Sequence, residues 1–336
     1  MDFRTNVSIT KENFNLSVGD SIVMLGSCFT ENIGSKLCDL KFDCDVNPFG
    51  VLYNPISICQ AIECLLEGPD FKFENYLFEK NGLWNSWLHS GLFSAASREQ
   101  CIENILKRHT TCANSIINAH ALIITLGTNR CYSYSSNAGN IIVANCHKIP
   151  ETQFTVNDIS IEEITERFTD LLTRLFNLNT KLQVLFTVSP YRYSKYGFHA
   201  SNLSKAVLLL SIDNIIKRFA NKCFYFPSYE IVNDELRDYR FYADDMLHPS
   251  ELAVNYIFER FAEYAFDRQA TEFALEWKKI IKAMKHRPLH PETKEYRGFL
   301  EKTRAHIVNL SKKYANLAVA NELEILDKSL QQTYTA

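Results

Sequence analysis

Ser21-Ile22-Val23-Met24-Leu25-Gly26-Ser27-Cys28-Phe29-Thr30-Glu31 is an apolar run that stops at a glycine and passes at once into a helical pattern, with Phe29, Ile33, Leu37 and Leu40 on one face. A short unbroken apolar run reads as a strand buried on both faces, and the 3–4 spacing after it as a helix packed on that strand. Residues 121–126 and 182–188 repeat the strand character, each ending in a polar or Gly/Pro break. Helical patterns over 159–178 and 203–219 lie between and after them. Strands alternating with helices predict an α/β domain with a parallel central sheet, whose ligand site lies beyond the carboxyl ends of its strands.

Outward from that core the chain divides in two. Residues 1–268 read as the α/β domain, with the aromatic-rich stretch 70–97 (Trp84, Trp87, Phe93) as an inserted hairpin or cap. After Pro249 the pattern over 251–266 is a mostly buried helix. Residues 269–336 form a charged, glycine-poor helical extension broken at His286-Arg287-Pro288-Leu289-His290-Pro291. Each proline there disfavours helix at the residue before it. No repeat of fixed period and no low-complexity segment is present.

Composition excludes several classes. Of 336 residues, 46% are hydrophobic and 22% charged, which is the balance of a folded globular chain. A formal net charge of -3 supplies no overall basic field for nucleic acid. No segment approaches the roughly 20 consecutive apolar residues of a membrane span, and residues 1–20 lack the apolar core of a secretory signal. A cytoplasmic location is therefore expected. The ten cysteines are scattered without a CxxC pair, so they read as reduced, mostly buried side chains.

Three motifs carry chemistry. Gly26-Ser27-Cys28 stands where a strand meets a helix, so a side chain is exposed at the sheet edge beside the free N–H groups of the helix start. That is a place for a nucleophile, although a Gly-Ser turn with Ser27 or Thr30 as helix cap is the preferred reading of the hexapeptide taken alone. Gly127-Thr128-Asn129 follows another strand: the glycine admits close approach of backbone, and an Asn amide can donate to an oxyanion. Asp245-Met246-Leu247-His248-Pro249 places a carboxylate three residues before a histidine at the head of a helix, with the proline suited to its first turn, so that Asp245 can orient the imidazole.

In this order the motifs resemble the SGNH/GDSL hydrolase superfamily, with its nucleophile turn, glycine, Gly-x-Asn and late Asp-x-x-His. The chain more closely resembles the GSCFA family, whose namesake motif stands here as Gly26-Ser27-Cys28-Phe29-Thr30, with Thr in place of Ala. Asn47-Pro48-Phe49-Gly50, Tyr53-Asn54-Pro55, Asn145-Cys146-His147-Lys148, Ser189-Pro190, Phe226-Pro227-Ser228-Tyr229-Glu230 and Leu236-Arg237-Asp238-Tyr239-Arg240 also look like that family, and the resemblance covers roughly residues 20–260. It implies a three-layer α/β/α, flavodoxin-like fold with a C-terminal helical extension. Asp245 and His248 are then the base pair, Asn129 and Gly50 oxyanion donors together with the N–H of residue 28, and Cys28 or Ser27 the nucleophile. The ungapped register favours Cys28. A thiol at a helix N-terminus beside a histidine is expected to have its pKa lowered.

These assignments make the chain an esterase or acyltransferase acting on acyl groups of a carbohydrate, lipid or metabolite, with no cofactor and no metal implied. Gly127, His147 and Ser189 are candidates to border the pocket. Cys146 and His147 adjoin, but without further ligands at zinc spacing they read as polar loop. His89 reads as packing, Arg237, Asp238, Arg240, Tyr229 and Glu230 as a charge cluster near the Asp245 loop or in solvent, and Asn202 and Ser204, with Lys205 beside them, as helix capping. The rival reading is a catalytically silent ligand-binding or scaffolding protein that offers its C-terminal helices to a protein partner.

Overall fold

The computed structural model describes residues 4–136, 139–314 and 317–332. The chain opens with β1 (Ser21–Gly26), α1 (Cys28–Asp39), β2 (Asp43–Val46) and α2 (Pro55–Glu67), then a hairpin of β3 (Leu77–Lys80) and β4 (Leu83–Ser86). Next come α3 (Arg98–Asn118), β5 (Ala121–Leu126) and three short strands, β6 (Arg130–Ser136), β7 (Gly139–Val143) and β8 (Thr155–Asp158). After α4 (Ile161–Leu178), β9 (Gln183–Val188), α5 (Phe198–Arg218) and β10 (Cys223–Tyr225) come the short turn α6 (Ser228–Glu230) and α7 (Glu251–Ala265). The tail is α8 (Arg268–Met284), α9 (Lys294–Lys313) and α10 (Ala320–Gln332).

Five strands form one sheet in the order β10-β9-β5-β1-β2, every pair parallel. Numbered among themselves along the chain, they stand 2-1-3-4-5, the doubly wound order of flavodoxin-like folds. The three runs expected as strands form its centre, and both faces are covered. Along β1, Val23 and Leu25 enter a core with α2, α3, α4 and α5, while Ile22 and Met24 enter a second core with α1, α7 and the tail. Burial on both faces is why these strands read as unbroken apolar runs.

The tail is built into the second core. Trp277, Leu300, Ile307 and Leu326 are buried there, the Trp277 Nε1 donates to the carbonyl of Asp39 at 3.0 Å, and Lys41 pairs with Glu322 at 2.5 Å. The break at 286–291 falls between α8 and α9; a second break, between α9 and α10, had no proline to announce it.

The 70–97 stretch holds the β3–β4 hairpin, turned by Asn81 and Gly82, both at positive φ (52 and 75°), the twist a two-residue hairpin loop needs. Trp87 stacks between Phe78 and Tyr134 at 3.8 and 4.6 Å between ring centroids, which joins this stretch to the antiparallel sheet β7-β6-β8. That small sheet was not expected from the sequence. All ten cysteines are free thiols.

Candidate active site

β1 ends at Gly26, where φ is +149° and an added Cβ would run into the carbonyl oxygen of Thr125 on β5, so only glycine fits. Its N–H donates to the Asn47 side-chain oxygen at 2.9 Å, while the Asn47 Nδ2 is buried without a partner. Ser27 is 1% exposed and caps α1, its Oγ accepting from the Phe29 N–H at 3.3 Å. The serine is thus occupied by the helix. Cys28 is the first helical residue and only half-buried.

The Cys28 thiol is not the acidic group expected of that position. Burial raises its pKa most, and the Glu31 carboxylate raises it further; the N–H groups of Phe29 and of Cys28 itself, with Lys205, act the other way and are outweighed. Desolvation of a thiolate wins here over the helix terminus.

Asp245 and His248 sit on a tight loop closed by the Ala243 N–H to the His248 carbonyl at 2.8 Å, with Met246 at φ 59°. Asp245 Oδ1 accepts from the N–H groups of Leu247 and His248 at 2.9 and 3.0 Å, and Oδ2 bonds the His248 Nδ1 at 2.5 Å. The backbone bond to His248, then the imidazole and the Leu247 N–H, hold the Asp245 carboxyl at about 2. With Nδ1 committed to the carboxylate, the free lone pair of a neutral imidazole lies at Nε2. Pro249 precedes the cap of α7, which is Ser250, so it stands outside the first turn.

Among the described residues no hydrogen bond joins His248 to Cys28 or Ser27. Tyr191 links the two ends: its ring centroid is 4.3 Å from that of His248, and its phenol is pushed up first by burial, then by the charges of Asp245 and Cys28.

Asn129 is buried and committed elsewhere. Its Nδ2 donates to the Ile159 carbonyl at 2.8 Å and its N–H to Ser204 Oγ at 2.9 Å, tying the end of β5 to the start of α4 and to α5. The Gly50 N–H donates to the Asn47 carbonyl at 2.7 Å. Gly50 is glycine because φ is +78° and Ser90 packs where a Cβ would stand. His147 bonds the Ser86 carbonyl at 2.8 Å and packs edge-on to Phe78, within the hairpin cluster. His89 is buried against Phe49, and burial holds its pKa down at about 3. Among the described residues no group of three or more His, Cys, Asp or Glu side chains is placed to hold a metal ion.

Lys205 was read from the sequence only as a neighbour of helix-capping residues. α5 is capped by Gly197, so Asn202, Ser204 and Lys205 lie inside the helix and cap nothing. The Lys205 ammonium is buried and donates to the carbonyls of Gly127 at 2.6 Å and Ser189 at 2.7 Å, the first residues beyond β5 and β9. It lies over the ring of Tyr193 at 5.1 Å, and the Tyr193 hydroxyl is itself buried without a partner. Burial lowers its pKa to about 7, and the charge of Cys28 opposes that shift.

Lys205 and Tyr191 also line a cavity of about 400 Å³ with Arg192, Tyr229, Arg237 and Tyr242. Arg192 ties this wall to the histidine loop, its N–H donating to the Leu247 carbonyl at 3.2 Å. Of the expected charge cluster, Arg237 and Tyr229 face the cavity, Asp238 also lines it but pairs with Arg240, and Glu230 accepts from the Tyr225 hydroxyl; none reaches Asp245.

No helix among the described residues is long and apolar enough to cross a membrane. Among family models, that of the GSCFA family matches residues 21–261, from β1 into α7, and that of the GSCFA domain protein, C-terminal domain, matches residues 277–332. No curated protein matches the chain.

Proposed function

The chain belongs to the GSCFA family, the match spanning more than half of its residues, and we propose that it is an SGNH-like esterase or acyltransferase with Cys28 as nucleophile and His248 as base. The observation that carries the reading is the Asp245–His248 bond, which orients the imidazole and leaves Nε2 as its basic edge. Cys28 supports it from the other side, since it is only half-buried while the Ser27 hydroxyl is held by the helix.

In this mechanism His248 Nε2 takes the thiol proton as Sγ attacks the carbonyl carbon of an acyl ester. A base acting during attack suits a thiol that burial keeps protonated. The N–H of Cys28 stabilises the oxyanion; Gly50 joins it only by giving up the Asn47 carbonyl, whereas Asn129 keeps a second Nδ2 hydrogen beside the one it gives to Ile159. The tetrahedral adduct collapses to a thioester on Cys28 as His248 returns the proton to the leaving alcohol. Water or a second alcohol, deprotonated by His248, then attacks the thioester and regenerates the thiol.

A panel of acyl esters and thioesters, followed by mass spectrometry of the intact protein and its peptides, tests this. The expected product is an acyl adduct on Cys28 that His248→Ala fails to form. A ligand-binding protein without chemistry remains the second reading, favoured by the raised Cys28 thiol and the lack of a bond from it to His248; it gains if the esters bind and no adduct forms.

A further inference from the structure

The cavity beside His248 has a charge pattern that acyl transfer does not require. Arg108, Arg130, Arg167 and Arg304 each pair with a carboxylate elsewhere in the fold. Among the described residues the three cations lining the cavity do not. Lys205 spends two of its three donors on carbonyl oxygens, which neutralise no charge. Arg192 lies over the rings of Phe198 and Tyr242 at 4.4 and 5.4 Å, and its hydrogen bonds among the described residues go to backbone carbonyls. Among the described residues no ion pair joins Arg237 to a carboxylate. The one acid on the wall, Asp238, already pairs with Arg240 at 2.8 Å. Lys205 is buried, Arg192 half-buried and Arg237 exposed; an anion entering the cavity would give the buried ammonium a counterion and meet two guanidinium groups able to hydrogen-bond it.

The rest of the lining includes Tyr191, Tyr229, Tyr239 and Tyr242 and the amides of Asn202 and Asn233. Flat rings with polar edges suit a ligand that has an apolar face and hydroxyl groups at its rim. A pyranose has that shape. The volume of about 400 Å³ is in the range of small-molecule sites. The cavity also adjoins the proposed chemistry at two points, Tyr191 against His248 and Lys205 near Cys28.

We propose that this cavity is a subsite for an anionic saccharide, a pyranose bearing a carboxylate or a phosphate, and that an acyl ester of that saccharide is the substrate. The second half rests on the acyl-transfer reading; the first half does not. Arg192 and Arg237 hold the anion, and the Lys205 amine, which a bound anion would help to keep protonated, lines the same cavity.

Calorimetric titration of the full chain carrying Cys28→Ala with glucuronate, galacturonate, glucose 6-phosphate and glucose separates the parts. At least one anionic saccharide is expected to bind roughly tenfold or more tightly than glucose, as a charge-assisted contact predicts. Which one binds tells a carboxylate from a phosphate. Arg237→Gln, an exposed change that leaves the fold alone, is expected to weaken that binding roughly tenfold. Arg192→Lys, checked for folding by circular dichroism, is expected to weaken it as well, because a lysine loses the planar fork. Equal affinity for glucose, no binding of any anion, or anion binding untouched by both variants overturns the subsite. Anion binding with no adduct from any acyl ester leaves the subsite standing and removes the acyl-transfer reading.

Discussion

The amide nitrogen of Phe29 donates to the hydroxyl of Ser27 at 3.3 Å, so the hydroxyl that precedes Cys28 in the chain serves the helix. Ser27→Ala should therefore cost stability, about 1 kcal/mol by denaturant unfolding, and leave acyl-adduct formation largely intact. Cys28→Ala should abolish the adduct, and Cys28→Ser should leave a weak remnant, because a hydroxyl is far harder to ionise with the same base. An adduct located on Ser27 reverses the assignment.

Asp245→Asn should keep the loop and lose the base. The amide oxygen can still accept from the N–H groups of Leu247 and His248, whereas the amide NH₂ would donate to Nδ1 and drive the imidazole proton to Nε2. The turnover of an acyl ester should fall by roughly 10²–10⁴ with an unchanged circular dichroism spectrum. Equal turnover in the variant would remove Asp245 from the chemistry.

Thiol alkylation should follow local electrostatics and not the functional assignment. Cys38 is exposed and its pKa is drawn down by a hydrogen bond from the Cys44 thiol, so at pH 7 iodoacetamide should label it ahead of Cys28. The Cys28 rate should climb only above the ordinary thiol range, and Glu31→Gln should speed it by removing a nearby negative charge. Peptide mapping over time at pH 7 and pH 9 reads both; faster labelling of Cys28 at pH 7 contradicts the argument.

Lys205 should give stability a rising pH dependence. Its folded pKa is about 7 against an ordinary 10.5, so between these values the unfolded chain binds the extra proton and stability increases with pH. The slope approaches about 1.4 kcal/mol per pH unit. Cys28, Tyr193 and Tyr229 face the ammonium, and each has its pKa raised above its ordinary value, so none titrates below pH 9. As pH rises through the ordinary thiol value of 9.0 the cysteines of the unfolded chain ionise, so buried thiols with raised pKa, such as Cys59 and Cys64, begin to act in the opposite sense just below pH 9. Urea midpoints from pH 7 to pH 9 should rise in the native chain more than in Lys205→Met; parallel slopes would show that Lys205 does not titrate there.

Three of the five central strands were legible because burial on both faces leaves no polar interruption in their sequence. The edge strands were not: β2 is Asp43-Cys44-Asp45-Val46, half polar at the margin of the sheet, and β10 is three residues long. Lys205 was read beside helix-capping residues for a different reason. Near its start α5 turns Ser201, Ser204 and Lys205 inward and Leu203 and Leu210 outward, so hydrophobic periodicity marks the wrong face. The Gly-x-Asn spacing located the end of β5 correctly, but no spacing reveals that the Asn129 amide is spent on Ile159.

The helix that begins with Cys28 ends at Asp39, whose carbonyl the tail grips through Trp277. Twelve residues at 1.5 Å each make α1 a rod about 18 Å long, with the proposed nucleophile at one tip and the C-terminal helices clamped to the other. Leu37, Leu40 and Phe42 bed that far tip into the same core as Trp277 and Leu326. The last sixty or so residues supply none of the proposed catalytic groups, yet they splint the rod that aims one of them. A strain introduced at Trp277 would be felt as a change of angle at the sulfur.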